Sequence, residues 1–120
     1  MISNNVCSIP IFFMDRYYME YGINGIKNFS IDELNLSSPG IRVFDFHPIH
    51  IFLNTNSLKR YNELKSRYHD FDYLSKNIME GPGTRTMFIQ LLEHISDNGI
   101  ETYTMSEINQ KFNESSSTRG

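Results

Sequence analysis

The 120-residue sequence has no tryptophan, a single cysteine and little basic charge. A lone Cys7 cannot close an internal disulfide, so nothing marks an oxidising compartment. Beside an apolar strand it reads as a small buried hydrophobe rather than a nucleophile, which would need a setting that lowers its pKa. The N-terminus lacks a basic segment followed by an apolar core, so no signal peptide is read. No apolar run nears the ~20 residues of a membrane helix. Lys and Arg number 11 against 14 Asp and Glu, a net charge of −3, which argues against non-specific nucleic-acid binding. Gly81-Pro82-Gly83-Thr84 has no Lys and not the spacing of a phosphate loop. Internal repeats are absent. These absences predict a cytoplasmic protein with neither a membrane nor a nucleic acid as partner.

What is present is an aromatic-rich chain, with nine Phe and seven Tyr, sized for one hydrophobic core. The most apolar stretch is Val43 to Asn54, and Arg42 to Phe46 within it reads as a buried strand after the turn signal Ser38-Pro39-Gly40. Pro48 should end its pairing and leave His47 at the strand's mouth. Ile9 to Met14 reads as another strand, buried on both faces. Tyr17 to Gly22 reads as a loop or a short helix, and loops dominate from Gly22 to Gly40. Ser30-Ile31-Asp32-Glu33 carries a capping-box pattern. Ser57 caps a helix from Leu58 to about Tyr68, with Leu58, Tyr61, Leu64 and Tyr68 on its apolar face. His69 to Leu74 reads as a loop or frayed turn. Thr84 caps a helix over Arg85 to about Asp97, striped by Met87, Phe88, Leu91, Leu92 and Ile95 and closed by Asn98-Gly99. Ile100 to Thr104 reads as a short strand, and Ser106 caps a last helix through Phe112. The chain thus divides into one domain, 1–112, and a flexible polar tail, 113–120. Its class is α/β with a small, mostly parallel sheet and flanking helices.

Candidate chemistry gathers at the second strand. Asp45 and His47 share one face of an extended strand, at the carboxyl edge where parallel α/β folds build sites. A carboxylate beside an imidazole holds its tautomer and raises its pKa. The bland account is that the two satisfy each other or nearby backbone, and an isolated Asp-x-His pair is a weak motif. His47 and His50 have helical i, i+3 spacing, but Pro48 and the preceding strand argue against a helix starting there. Asp45, His69, Asp70 or Asp72 would have to complete a metal site, with no recognised spacing. The aromatic cluster Tyr17, Tyr18 and Tyr21 suits stacking on sugar rings, although core packing is the commoner use.

The run Phe44-Asp45-Phe46-His47-Pro48-Ile49-His50-Ile51-Phe52-Leu53-Asn54-Thr55 resembles the last barrel-strand motif of polysaccharide deacetylases of the NodB-homology type, carbohydrate esterase family 4. It is most similar to the branch associated with surface-polysaccharide gene clusters. Gly83-Thr84-Arg85-Thr86 with Leu91-Leu92, and the tail from Ile100 to Phe112, extend the resemblance, which covers about Ile9 to Phe112. It implies a partial, deformed (β/α) barrel and hydrolysis of an N-acetyl group on a carbohydrate substrate. By that resemblance His47 would be the general acid; on the residues themselves Asp45 is its candidate partner, and Tyr17, Tyr18 and His50 are candidate substrate contacts. The family uses a divalent metal such as zinc, held by an early Asp and a His-x-x-x-His pair, with an adjacent Asp as base. Neither Asp-Asp nor His-x-x-x-His occurs in this sequence. No metal ligand is therefore assigned, and no cofactor is expected on this chain alone. The resemblance points to the C-terminal part of such an enzyme, inactive alone, its partner being the missing N-terminal half or a second copy. The alternative is a non-catalytic carbohydrate-binding or interaction module.

Overall fold

The computed structural model describes residues 10–104 and 106–111. Cys7, Ile9, Phe112 and the expected tail at 113–120 lie outside the described residues. The chain is α/β. Strand β1 (Phe13–Met14) pairs in parallel with β2 (Phe44–Asp45), in the register Phe13 opposite Phe44 and Met14 opposite Asp45. Helix α1 (Asp15–Tyr21) and a 3-10 turn at Ile31–Glu33 lie between them in sequence. After β2 come α2 (Pro48–Leu53), α3 (Leu58–Leu64), a 3-10 turn at Lys65–Arg67, α4 (Phe71–Ser75), α5 (Thr84–Asp97) and a helical segment, α6, at 106–111.

Both strands are shorter than the apolar runs that predict them. Only two residues of each are paired, although Val43 extends the contact by accepting from the N–H groups of Phe12 at 2.9 Å and Phe13 at 3.2 Å. Beyond this pairing, aromatic packing holds the layer. Phe13 lies 5.1 Å from Phe46 and 5.4 Å from Tyr18, ring centre to ring centre. Met19, Phe29, Leu34 and Met87 complete that core, and a second core gathers Leu53, Leu64 and Leu74 under α2, α3 and α4.

Local signals explain several helix ends. Ser30 and Glu33 form the expected capping box, and the Ser57 hydroxyl accepts from the Arg60 N–H at 3.2 Å. Gly99, at φ 58°, takes the left-handed conformation that follows a helix end. Gly22, at φ 65°, turns the chain out of α1, and its N–H bonds the Tyr18 carbonyl at 2.7 Å.

Of the two readings of 17–22, the short helix is the one observed, Tyr17 to Tyr21 forming the end of α1. Other expectations are corrected. Residues 71–75 form α4 because the Asp70 carboxylate caps them through the Tyr73 N–H at 3.0 Å. Pro48 opens α2 instead of preventing it: at the first helical position its missing N–H leaves no bond unmade. The segment 100–104 pairs with neither strand, and Thr104 rather than Ser106 caps α6, through a reciprocal pair with Glu107 at 3.0 and 3.1 Å. Tyr68 and Leu92 are exposed. The 3-10 turn after Leu64 has three residues per turn and carries Tyr68 off the α-helical stripe.

The start of α5 is built from a distance. Asn54 sits in the left-handed region at φ 49°, and its side-chain oxygen accepts from the N–H groups of Arg85 at 3.0 Å and Thr86 at 3.3 Å. Its amide donates to the carbonyls of Met79 and Gly81 at 3.0 and 2.8 Å. Thr84, the expected cap, is instead the first residue of the helix, and its hydroxyl donates to the Thr55 carbonyl at 2.7 Å. Arg85 donates to the carbonyls of Ile51, at 2.9 Å, and Phe52. A Cβ on Gly83 would run into the Asn54 carbonyl oxygen. Gly83→Ala should therefore destabilise the chain by about 2 kcal/mol, since the obstructing atom is backbone. Urea unfolding of the variant beside the parent checks this.

Candidate active site

Asp15 follows β1 directly and His47 stands two residues beyond β2, so parallel pairing brings both to the carboxyl edge of the sheet. Asp15 is 1% exposed. Its two oxygens take separate bonds from His47: Oδ2 accepts from the backbone N–H at 2.6 Å, and Oδ1 meets Nδ1 at 2.7 Å. Oδ1 also accepts from the Arg16 N–H at 2.7 Å. A carboxylate only accepts, so Nδ1 carries the proton in this contact and Nε2 is the nitrogen left for other partners. The His47 side chain is 47% exposed. The side-chain bond to Asp15 is the largest influence on His47 and raises its pKa above the ordinary 6.5, with partial burial opposing and the charges of Asp15 and Asp45 adding.

Asp45, the partner expected from sequence, lies 4.0 Å from His47 Nδ1, inside ion-pair range but beyond a hydrogen bond. Asp15 takes the orienting position, and sequence reasoning did not assign it that role. The signal available for it was an aspartate closing a buried apolar run, the same strand-end position that singled out His47. His50 is buried on α2, its Nδ1 3.0 Å from the Thr55 hydroxyl. Burial is the main cause that lowers its pKa.

The tyrosines separate. Tyr18 is turned into the core, where its hydroxyl donates to the Glu33 carboxylate at 2.8 Å and accepts from the Phe29 N–H at 3.0 Å. Burial first, then Glu33, pushes its pKa well up. Tyr17 and Tyr21 are exposed on α1, their rings 4.6 Å apart. Among the described residues no group of three or more His, Cys, Asp or Glu side chains is placed to hold a metal ion. The side chains around His47 therefore do not fit the divalent metal that the resemblance implies. No helix among the described residues is long and apolar enough to cross a membrane.

A half-exposed histidine bonded to a buried aspartate, at the carboxyl ends of parallel strands, is the arrangement an acid–base site in an α/β fold would use. The model of the WbmS-like polysaccharide deacetylase family matches residues 1–65, just over half of the 120, and the chain belongs to that family. The matched residues include Asp15, Asp45, His47 and His50, while Gly83-Thr84-Arg85-Thr86 lies beyond them. No curated protein and no solved structure matches the chain.

A histidine whose folded-state pKa lies above 6.5 stabilises the fold while it is protonated. That contribution is complete below about pH 6.5 and fades as pH rises through the raised value. Asp15→Asn should return the His47 pKa toward 6.5 and flatten the loss of stability above that pH. Asp15→Ala also strands the His47 N–H, at about 2 kcal/mol. Histidine NMR titration, with urea unfolding across a pH series, reads both effects.

Proposed function

We propose that the chain is the C-terminal part of a metal-dependent sugar N-deacetylase, to which it supplies His47 as the general acid. The observation that carries this is the grip of Asp15 on both the backbone and the ring of His47, whose side chain is 47% exposed. In this reading the protonated imidazole donates its Nε2 proton to the nitrogen of the breaking amide. The amine leaves neutral, and the electron pair of the N–H bond stays on Nε2. Asp15 keeps the Nδ1 proton in place and stabilises the charged ring, and Asp45 adds a weaker attraction from 4.0 Å. Asp-Asp and His-x-x-x-His are absent from the sequence, so the metal and the base that activate water belong to another segment or another chain. Exposed Ile11 and Phe12 beside β1 support such a partner, or association of copies.

A second reading, a carbohydrate-binding module without catalysis, is favoured by the exposed Tyr17 and Tyr21 pair. The two separate on measurement. The 120 residues alone, incubated with zinc and an N-acetylated sugar oligomer, should release no acetate; release would overturn the dependence on a partner. Joined to a segment carrying Asp-Asp and His-x-x-x-His, the protein should release acetate, and His47→Ala should slow it roughly 100- to 10,000-fold. Oligomer binding by the isolated chain that survives His47→Ala and is lost in Tyr17→Ala would favour the binding module.

A further inference from the structure

The acid step leaves a buried histidine unused. His50, 4% exposed, lies on α2 three residues after His47. The two imidazoles meet edge to face, with ring centres 6.0 Å apart. Tyr61 of α3 packs against His50 in the same manner at 4.6 Å. Thr55 fixes the His50 ring through Nδ1 at 3.0 Å. Thr55 is fully buried, and its carbonyl accepts from the N–H and hydroxyl of Thr84 at 3.0 and 2.7 Å. His50 is thus a ring with its rotation locked, on a residue that is itself tied to α5.

His47 is different. Its ring is anchored at one atom, Nδ1. A single hydrogen bond sets a distance but leaves the ring free to tilt about it, and Nε2, across the ring, moves most. Proton transfer demands a defined direction for that atom. Among the described residues, the aromatic ring packed on His47 is that of His50.

We propose that His50 is a positioning residue for His47: locked by Thr55 and Tyr61, its ring braces the His47 imidazole in line with the Asp15 carboxylate and so aims Nε2. The proposal rests on the reading of His47 as the acid. It requires an uncharged ring at position 50, since a second imidazolium would repel the first. Burial favours that state, and His47 and Arg16 reinforce it against the pull of Asp15. The charged groups facing the pair are Asp15 and Arg16 of α1 and Asp45 of β2, while α3 presents Tyr61.

The test is a 15N histidine NMR titration of the full chain, reading the pKa and tautomer of His47. His50→Ala should lower the His47 pKa toward 6.5 and mix its tautomers. His50→Phe and Thr55→Val, which keep a ring but lose its lock, should shift both in the same direction by less. An unchanged His47 pKa and tautomer in folded His50→Ala overturns the proposal. If His50→Ala does not fold, unchanged values in Thr55→Val overturn it instead. The titration needs no turnover, so it stands apart from a failure of the acid reading, which would show as acetate release indifferent to His47→Ala.

Discussion

The bond pair from Asp15 to His47 ties together two chain segments 32 residues apart. The sheet beneath it is small, two paired residues in each strand, and would set the relative height of the strand ends only loosely. The carboxylate removes that freedom. One oxygen takes the backbone N–H just before α2 begins, and the other takes the ring. The place where the chain turns from strand to helix and the anchor point of the imidazole, at Nδ1, are thus set by the same buried group. Pro48 completes the turn, its ring holding the backbone at a helical φ immediately after His47.

A second tie acts on the far end of α2. Asn54 caps α5 across more than 30 residues, and Arg85 returns bonds to the last carbonyls of α2. Each orphaned terminus satisfies the other, so α2 is held at both ends by polar contacts rather than by its own six residues, too few to be stable alone. The Gly83-Thr84-Arg85-Thr86 motif, singled out as a family feature, thereby has a structural use. Gly83 lets the backbone approach Asn54, Thr84 bonds Thr55, and Arg85 closes α2. Through Thr55 this clamp reaches His50, so the N-terminus of α5 belongs to the support of the candidate site although it touches neither Asp15 nor His47.

What was legible in the sequence was local. Ser30 with Glu33, Ser57 with Arg60 and Gly99 after α5 act within one turn, so spacing alone reveals them. The parallel pairing was legible too, because continuous apolar runs with a crossover between them have few other uses. The partners of His47 and of α5 were not. Asp45 is near in sequence and carries the right chemistry, yet the closer bond goes to Asp15. That choice depends on which strand ends meet, a fact of pairing rather than of spacing. Asn54 gives no sign of capping a distant helix, because its left-handed backbone and its reach to Arg85 exist only once α2 and α5 are docked. Tyr18 shows the converse: three tyrosines in five residues resemble a surface platform, but helical geometry turns one inward while Tyr17 and Tyr21 share the outer face.

Stability alone gives a poor account of Asp15. Taking a carboxylate out of water is costly, and its three N–H partners offset that without making the pair a better core than apolar side chains of similar volume. A chain under selection only for folding could place a hydrophobic residue there, as it does at Phe13 and Met19 on either side. Nor does a structural histidine need its ring half exposed, with the proton fixed on the nitrogen that faces the carboxylate. The buried carboxylate and the half-exposed imidazole make sense together, because the first raises the proton affinity of the second. His50 extends the same logic. Close by, burial drives its affinity the opposite way, so of two neighbouring imidazoles the half-exposed one is favoured to take the positive charge and the buried one to stay neutral.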